Sequence, residues 1–262
     1  MAYFAEHDPG GKGYYRAHNN LGALALYTGN FETGRDHFKK TYELASKAGN
    51  VRFITLALKH MGQANLILGD YIAAETELTQ ALTMYRETVQ AAPTDFLNTQ
   101  LYLGYALMRQ GRYDEAINRW KTCRQDAVTF SSRRLISNCD KALGIVAIRQ
   151  GDLGEARYRL REALMLVVDA QTNVLIVDRL EAFAELFCAE EQYSLALQLY
   201  ALTQTHRQRM NMPAPPADAE ETASCIAKTR ATLDEDVAEA AWETGELLSL
   251  SGAVELVLDV LQ

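Results

Sequence analysis

Four glycines, Gly29, Gly69, Gly111 and Gly151, stand 40, 42 and 40 residues apart. Each follows one apolar, helix-like stretch and precedes another. Each opens the same local phrase: Gly29-Asn30-Phe31, Gly69-Asp70-Tyr71, Gly111-Arg112-Tyr113 and Gly151-Asp152-Leu153. A small residue comes three positions after the aromatic or leucine, at Gly34, Ala74, Ala116 and Ala156. Seven residues before each turn stands a further glycine: Gly22, Gly62, Gly104 and Gly144. A fifth copy has no glycine, but Phe183-Ala184, Glu191-Gln192-Tyr193 and Ala196 keep its register. One supersecondary unit is therefore used about five times.

Each copy reads as helix, tight turn, helix. Glycine at the turn takes φ > 0 without steric cost and ends the first helix. Small residues on both helices let the backbones approach toward the low end of the usual ~8–10 Å. Phe38, Leu78, Trp120, Leu160 and Tyr200 lie one helical turn beyond the small residues, on the same face, and fill the remaining space. One such pair cannot bury its apolar face alone, so neighbouring pairs must stack. The expected fold is all-α, an α-α superhelix of about five hairpins with helices capping its C-terminal end.

The positions Leu-Gly, then Gly-x-Tyr, then Ala resemble the tetratricopeptide repeat. The period here exceeds that family's usual ~34 residues, and its early aromatic is replaced by His18, Leu58, Gln100, Asp140 and Leu180. Only Pro93 approaches its terminal proline. The expected organisation is a flexible leading segment at 1–13 and repeats near 14–50, 51–92, 94–132, 133–172 and 173–211. A proline-rich loop at 212–217 and a helical cap at 218–262 follow. Met212-Pro213-Ala214-Pro215-Pro216 breaks any helix. Beyond it, apolar spacing predicts helices over 218–233, 234–247 and 250–261, with Asp234 and Ser249 as N-caps.

From Leu199 onward the resemblance narrows. Leu199-Tyr200 to Arg207, Pro213-Ala214-Pro215-Pro216, Leu233-Asp234-Glu235-Asp236, Ala241-Trp242-Glu243 with Gly245, and Leu248-Ser249-Leu250 with Ala253-Val254 carry it. They are similar to the C-terminal signature of bacterial LuxR-type or SARP-type transcription factors and adenylate-cyclase-linked proteins. Those place a STAND-class ATPase before a tetratricopeptide array. Asn211, where glycine is usual, and Ser251-Gly252, in place of an acidic pair, depart from that pattern. The resemblance implies the sensor or partner-binding end of a larger regulator, with an upstream ATPase or effector domain.

Net charge is −8, which disfavours direct contact with nucleic acid, and no Lys/Arg cluster offsets it. The leading fifteen residues lack the apolar core of a signal peptide, and no segment has the ~18–20 apolar residues needed to span a bilayer. Cys123, Cys139, Cys188 and Cys225 have no metal-ligand spacing and read as reduced thiols in a cytoplasmic protein. The five histidines form no His-Glu-x-x-His motif, so no metal or cofactor is expected. Gly10-Gly11-x-Gly13 lacks the strand and the lysine–hydroxyl pair of a phosphate loop. The carboxylates at Glu190-Glu191 and Asp234-Glu235-Asp236 suit helix ends or solvent better than acid–base chemistry. No catalytic constellation emerges, and a non-enzymatic interaction module is expected.

In tetratricopeptide arrays the first helices of successive repeats line the concave surface. Mapping their outward positions gives Arg16, Asn19 and Asn20; Lys59, His60 and Gln63; Asn98, Tyr102 and Tyr105; Asn138 and Lys141. The fifth copy turns acidic, at Asp178, Glu181 and Glu185. Amides can bond a peptide backbone, Lys and Arg can hold carboxylates, and tyrosines offer flat amphipathic area. Residue by residue, these positions read equally as an ordinary solvated face. The expected ligand is a protein or peptide, and the free-standing alternative is a repeat protein that sequesters a regulator. A homodimer through the uncapped first repeat is a further expectation.

Overall fold

The computed structural model describes residues 12–87, 93–170 and 172–261. Among them every regular element is an α-helix: α1 Lys12–Tyr27, α2 Phe31–Lys47, α3 Val51–Leu68, α4 Tyr71–Glu87 and α5 Pro93–Arg109. The remainder are α6 Tyr113–Thr129, α7 Arg133–Gln150, α8 Leu153–Val168, α9 Asn173–Ala189, α10 Tyr193–Arg209, α11 Pro216–Thr232, α12 Glu235–Leu247 and α13 Leu250–Val260. The leading segment up to Gly11, including Gly10 and Gly11 of the Gly10-Gly11-x-Gly13 stretch, lies outside the described residues. Gly13 belongs to α1.

The chain divides into two compact units. The first runs up to Arg119 and also takes in Pro213–Ala217, so the division falls inside α6. Here α1 packs on α2, α2 on α3, α3 on α4 and α4 on α5, while the first helices also touch in sequence, α1 with α3 and α3 with α5. The close approach is real: a Cβ on Gly22 would lie 2.5 Å from the Phe38 ring. Tyr15, Leu44 and Ala45 form a core with Tyr14, Phe53 and Ile54 against it. Pro213 packs against Gly29.

Gly69 ends α3 in the left-handed conformation, φ 85°. The Asp70 N–H then reaches back to the Asn65 carbonyl at 2.9 Å, satisfying an end-of-helix acceptor. The second unit repeats this closure with Gly151 at φ 78°, and elsewhere without glycine. Glu191 takes φ 62°, and the Gln192 N–H bonds the Phe187 carbonyl at 2.8 Å. Ser131 and Asn211 do likewise, at φ 53° and 51°. The turn thus demands a left-handed residue, and glycine is only the least strained way to supply it.

The second unit comprises residues 120–212 and 218–262. In it α7 packs on α8, α8 on α9 and α9 on α10, with α7 also touching α9. Trp120, Leu160 and Tyr200 are fully buried, as Phe38 and Leu78 are in the first unit. Helix α12 packs along α10 through Leu197, Ala238 and Ala241, with Ile226, Leu233 and Trp242 around them, and α13 touches α9.

The chain after 212 differs from expectation in two details. Helix α11 begins at Pro216, since a proline at the first helical position forfeits no helical hydrogen bond. Ser249 caps α13 as expected, accepting from the Gly252 N–H at 3.0 Å, but Asp234 makes no side-chain cap bond.

Candidate functional site

The first helices carry the mapped positions, and in both units the structure ties many of them together across neighbouring first helices. In the first unit Arg16 and Asn20 are exposed on α1, whereas Asn19 is buried. The Asn19 Oδ1 lies 3.1 Å from His60 Nδ1 on α3. Burial, helped by the Lys59 charge, holds His60 down at a pKa of about 3, so its ring is neutral and serves as a hydrogen-bonding partner. Lys59 is only 6% exposed, and its Nζ lies 2.6 Å from Asp95 Oδ1 in the first turn of α5. The expectation of an open lysine ready for a ligand carboxylate is therefore revised: an internal carboxylate already occupies it.

Gln63, Asn98, Tyr102 and Tyr105 are partly exposed. Asn98 donates to the Thr94 carbonyl of its own helix at 2.9 Å. Tyr85 of α4 has a buried hydroxyl without a hydrogen-bond partner, and burial, with Asp95 nearby, pushes its pKa well up. Two histidines meet as well, His18 of α1 and His37 of α2, with Nδ1 atoms 2.9 Å apart.

The second unit repeats the arrangement. Lys141 Nζ on α7 lies 2.9 Å from Asp178 Oδ1 on α9. Asp178 also pairs with Arg179, which is 1% exposed. The Arg179 guanidinium donates to Ser137 Oγ at 2.9 and 3.1 Å and to Asn138 Oδ1 at 2.5 Å. Burial opposes ionisation of Asp178, yet Lys141 and Arg179 override it and hold the carboxyl below its usual range. Three residues on, at Glu181, the balance reverses. Arg207 Nη2 lies 2.5 Å from Glu181, but burial outweighs that charge and raises the Glu181 pKa. Burial lifts Glu185 to about 7, with Arg149 opposing and Glu221 adding to the rise.

The structure thus joins Asn19 to His60 and Asn138 and Lys141 to the Asp178–Arg179 pair. Arg16 and Asn20 stand apart from these bonds on the exposed side of α1. Asp95, Arg179, Arg207 and Glu221 were missed. A signal existed for two of them: Lys59 and Asp95 are 36 residues apart and Lys141 and Asp178 are 37 apart, so one device recurs in two places. Glu190 stands at the end of α9, one of its two expected placements, and its carboxylate is not left to solvent, since Arg157 clamps it with two bonds of 2.5 and 2.7 Å.

Nothing in these networks pairs a nucleophile with a base. Among the described residues no group of three His, Cys, Asp or Glu is placed to hold a metal ion, and no helix is long and apolar enough to cross a membrane. Cys139 is a buried thiol whose pKa is raised by its hydrogen bond with the free thiol of Cys123 and by burial, which keeps it protonated.

Stacked helical pairs, closed by left-handed turns and bound through polar bridges between first helices, define a helical-repeat solenoid. The chain belongs to the tetratricopeptide repeat family, whose model matches residues 14–87 and 95–166, more than half of its length. Among solved structures it is similar to a Rap protein complexed with Competence and Sporulation Factor, at 14% identity and a TM-score of 0.64. That match covers 95% of this chain and 75% of that one. It is also similar to the Rap conjugation gene regulator of the plasmid pLS20 in complex with the Phr* peptide, at 14% identity and a TM-score of 0.61, covering 94% and 75%. At that identity the likeness is one of fold. Comparison with curated protein sequences finds no match.

Proposed function

We propose that this chain is a non-catalytic tetratricopeptide module that binds an extended peptide or protein segment on its first-helix faces. We assign it as the sensor or interaction region of a bacterial signalling or transcriptional regulator. The observation that carries the reading is the recurring lysine–aspartate bridge between neighbouring first helices, Lys59–Asp95 and Lys141–Asp178. Such bridges hold long polar side chains in place before a ligand arrives, which lowers the ordering cost of binding. A peptide carboxylate or cation then exchanges for an internal partner of the same sign. Both solved neighbours hold a bound factor or peptide, which agrees with this assignment, as does the regulator-like stretch from Leu199 onward. On that resemblance, the natural partner in cis is an upstream ATPase or effector domain.

The test is selection of short random-sequence peptides on the immobilised chain, followed by affinity measurement on Lys59→Ala/Lys141→Ala. The double variant should lose roughly tenfold or more in affinity, in line with removal of charge-assisted bonds, while keeping its helical circular dichroism. Unchanged affinity in a folded variant would overturn the site, and failure to select any peptide would overturn the function.

A further inference from the structure

The acidic stripe of α9 is not open. Glu181, Glu185 and Cys188 lie along one face of that helix, and α11 of the same chain lies against it. Its stripe Asp218, Glu221, Cys225 and Thr229 follows the helical spacing of three and four residues. Thr229 Oγ1 lies 3.0 Å from Cys188 Sγ. Cys225 sits in the field of Glu185 and Cys188, and Asp218 in that of Arg207. Arg149 at the end of α7 reaches Glu221 at 2.5 Å.

This seam is poorly matched. It sets the carboxylates of Glu185 and Glu221 near each other with Arg149 as the counter-charge. The buried Tyr200 hydroxyl has no partner of hydrogen-bond geometry and faces the thiols of Cys188 and Cys225, which are weak partners. Thr229 is the one buried residue of α11, so the helix contributes little apolar burial. At its far end Ile226 joins the core around α12, and Arg230 stacks on Trp242 at 4.5 Å. The helix is anchored at its C-terminal end and held through charged and thiol groups elsewhere.

We propose that α11 is a displaceable cover: it occupies in cis the α9 face to which a peptide binds, and peptide and α11 compete for that face. The inference rests on the peptide-binding reading above. The competing segment offers what α11 lacks, a basic side chain for Glu185. The cover is also gated by protons. Facing Glu185 are Arg149 and Lys141 of α7, Glu181 and Cys188 of α9, Tyr200 of α10, and Glu221 and Cys225 of α11. The covered state favours neutral Glu185, so the cover is firmest below the ordinary carboxyl value of 4.5 and loosens as pH rises toward about 7.

Two measurements on the full chain test this. A short thiol-to-thiol cross-linker joining Cys188 to Cys225 locks α11 in place. The locked chain should bind a peptide from the random selection roughly tenfold or more weakly than the unlocked chain, because the competent state is depopulated. A Cys225→Ser chain treated with the same reagent controls for alkylation of Cys188. Equal affinity of locked and unlocked chains overturns the cover while leaving the binding reading intact. Separately, at about pH 8, Glu185→Gln should slow alkylation of Cys225 roughly tenfold by removing the buried charge that opens the seam. Without a change in cover the same substitution speeds alkylation, since it removes a charge that opposes thiolate formation. An equal or faster rate therefore overturns the gate. If the selection yields no peptide, the binding reading falls, and the alkylation rates still decide whether α11 opens.

Discussion

Replacing Gly245 with alanine puts a methyl group where α12 meets the backbone of α10. An ideal Cβ at that position would lie 2.2 Å from the Gln198 carbonyl oxygen, 2.7 Å from its Cα and 2.8 Å from its carbonyl carbon. Even a favourable carbon–oxygen contact sits near ~3.3 Å, so α12 must withdraw by about 1 Å. The obstacle is backbone in mid-helix and has no rotamer to change. The penalty therefore belongs at or above the top of the ~1–3 kcal/mol seen for overpacking. Better helix propensity returns about 1 kcal/mol, which leaves a net loss near ~2 kcal/mol, or about 4–8 °C in Tm for a chain of this size. Gly252→Ala is the matched control: its Cβ would meet only side-chain atoms, Ser249 Oγ at 3.2 Å and Leu248 Cδ1 at 3.4 Å. There the propensity gain should dominate. Urea denaturation gives the ordering, and amide hydrogen exchange in α12 localises the effect, since repeat arrays lose two-state behaviour. A Gly245→Ala chain as stable as its parent would refute the contact between α12 and α10.

Asp140 is fully buried, with Arg124 Nε at 2.7 Å and Arg159 Nη1 at 3.0 Å from one carboxylate oxygen. Asp140→Ala leaves two guanidinium groups facing a void. A loss of about 3 kcal/mol is expected, the low end for a broken buried pair because both arginines retain solvent; an unchanged urea midpoint would refute it. Glu77, which accepts from Asn65 Nδ2 at 2.8 Å, is pushed up to about 7 by burial that outweighs that bond. Its contribution is complete below its ordinary 4.5 and lost as pH rises toward about 7, so Glu77→Gln should gain on the parent between pH 5 and 8. His60 acts in the opposite sense. With its pKa lowered from 6.5 to about 3, it stabilises fully above 6.5 and loses that contribution as pH falls, a slope that His60→Asn should flatten. Denaturation midpoints across that pH range, read against the parent, check both.

Much of the fold was legible because backbone geometry limits which residues certain positions can hold. Close crossings exclude side chains, as Gly22 against Phe38 shows, and such positions recur visibly. The turn is a softer constraint. Glu191, Ser131 and Asn211 adopt the left-handed conformation at a modest cost, so no residue type marks them reliably. Helix α11 was harder still. Its spacing predicted a helix, but a stripe of Asp, Glu, Cys and Thr names no particular neighbour, and only coordinates reveal that it meets α9.

The candidate site shows a deeper limit. The choice between a solvated face and a binding face left out the arrangement found here, in which polar groups on one first helix satisfy those on the next. Periodicity placed Lys141 on a first-helix face, but its partner lies 37 residues away, and spacing alone does not distinguish a paired from an unpaired lysine. The distinction constrains the ligand. If a peptide draws Lys141 away, Asp178 keeps Arg179, which is itself buried and shared with Ser137 and Asn138. Asp178 then loses one of its two ion-pair partners at a site where burial already penalises its charge. A ligand offering only a carboxylate to Lys141 therefore gains one bond and weakens another, for little net affinity. A ligand bringing an anion for Lys141 and a cation for Asp178 within one short stretch keeps both satisfied, so peptides with adjacent charges of opposite sign should dominate any selection on the second unit.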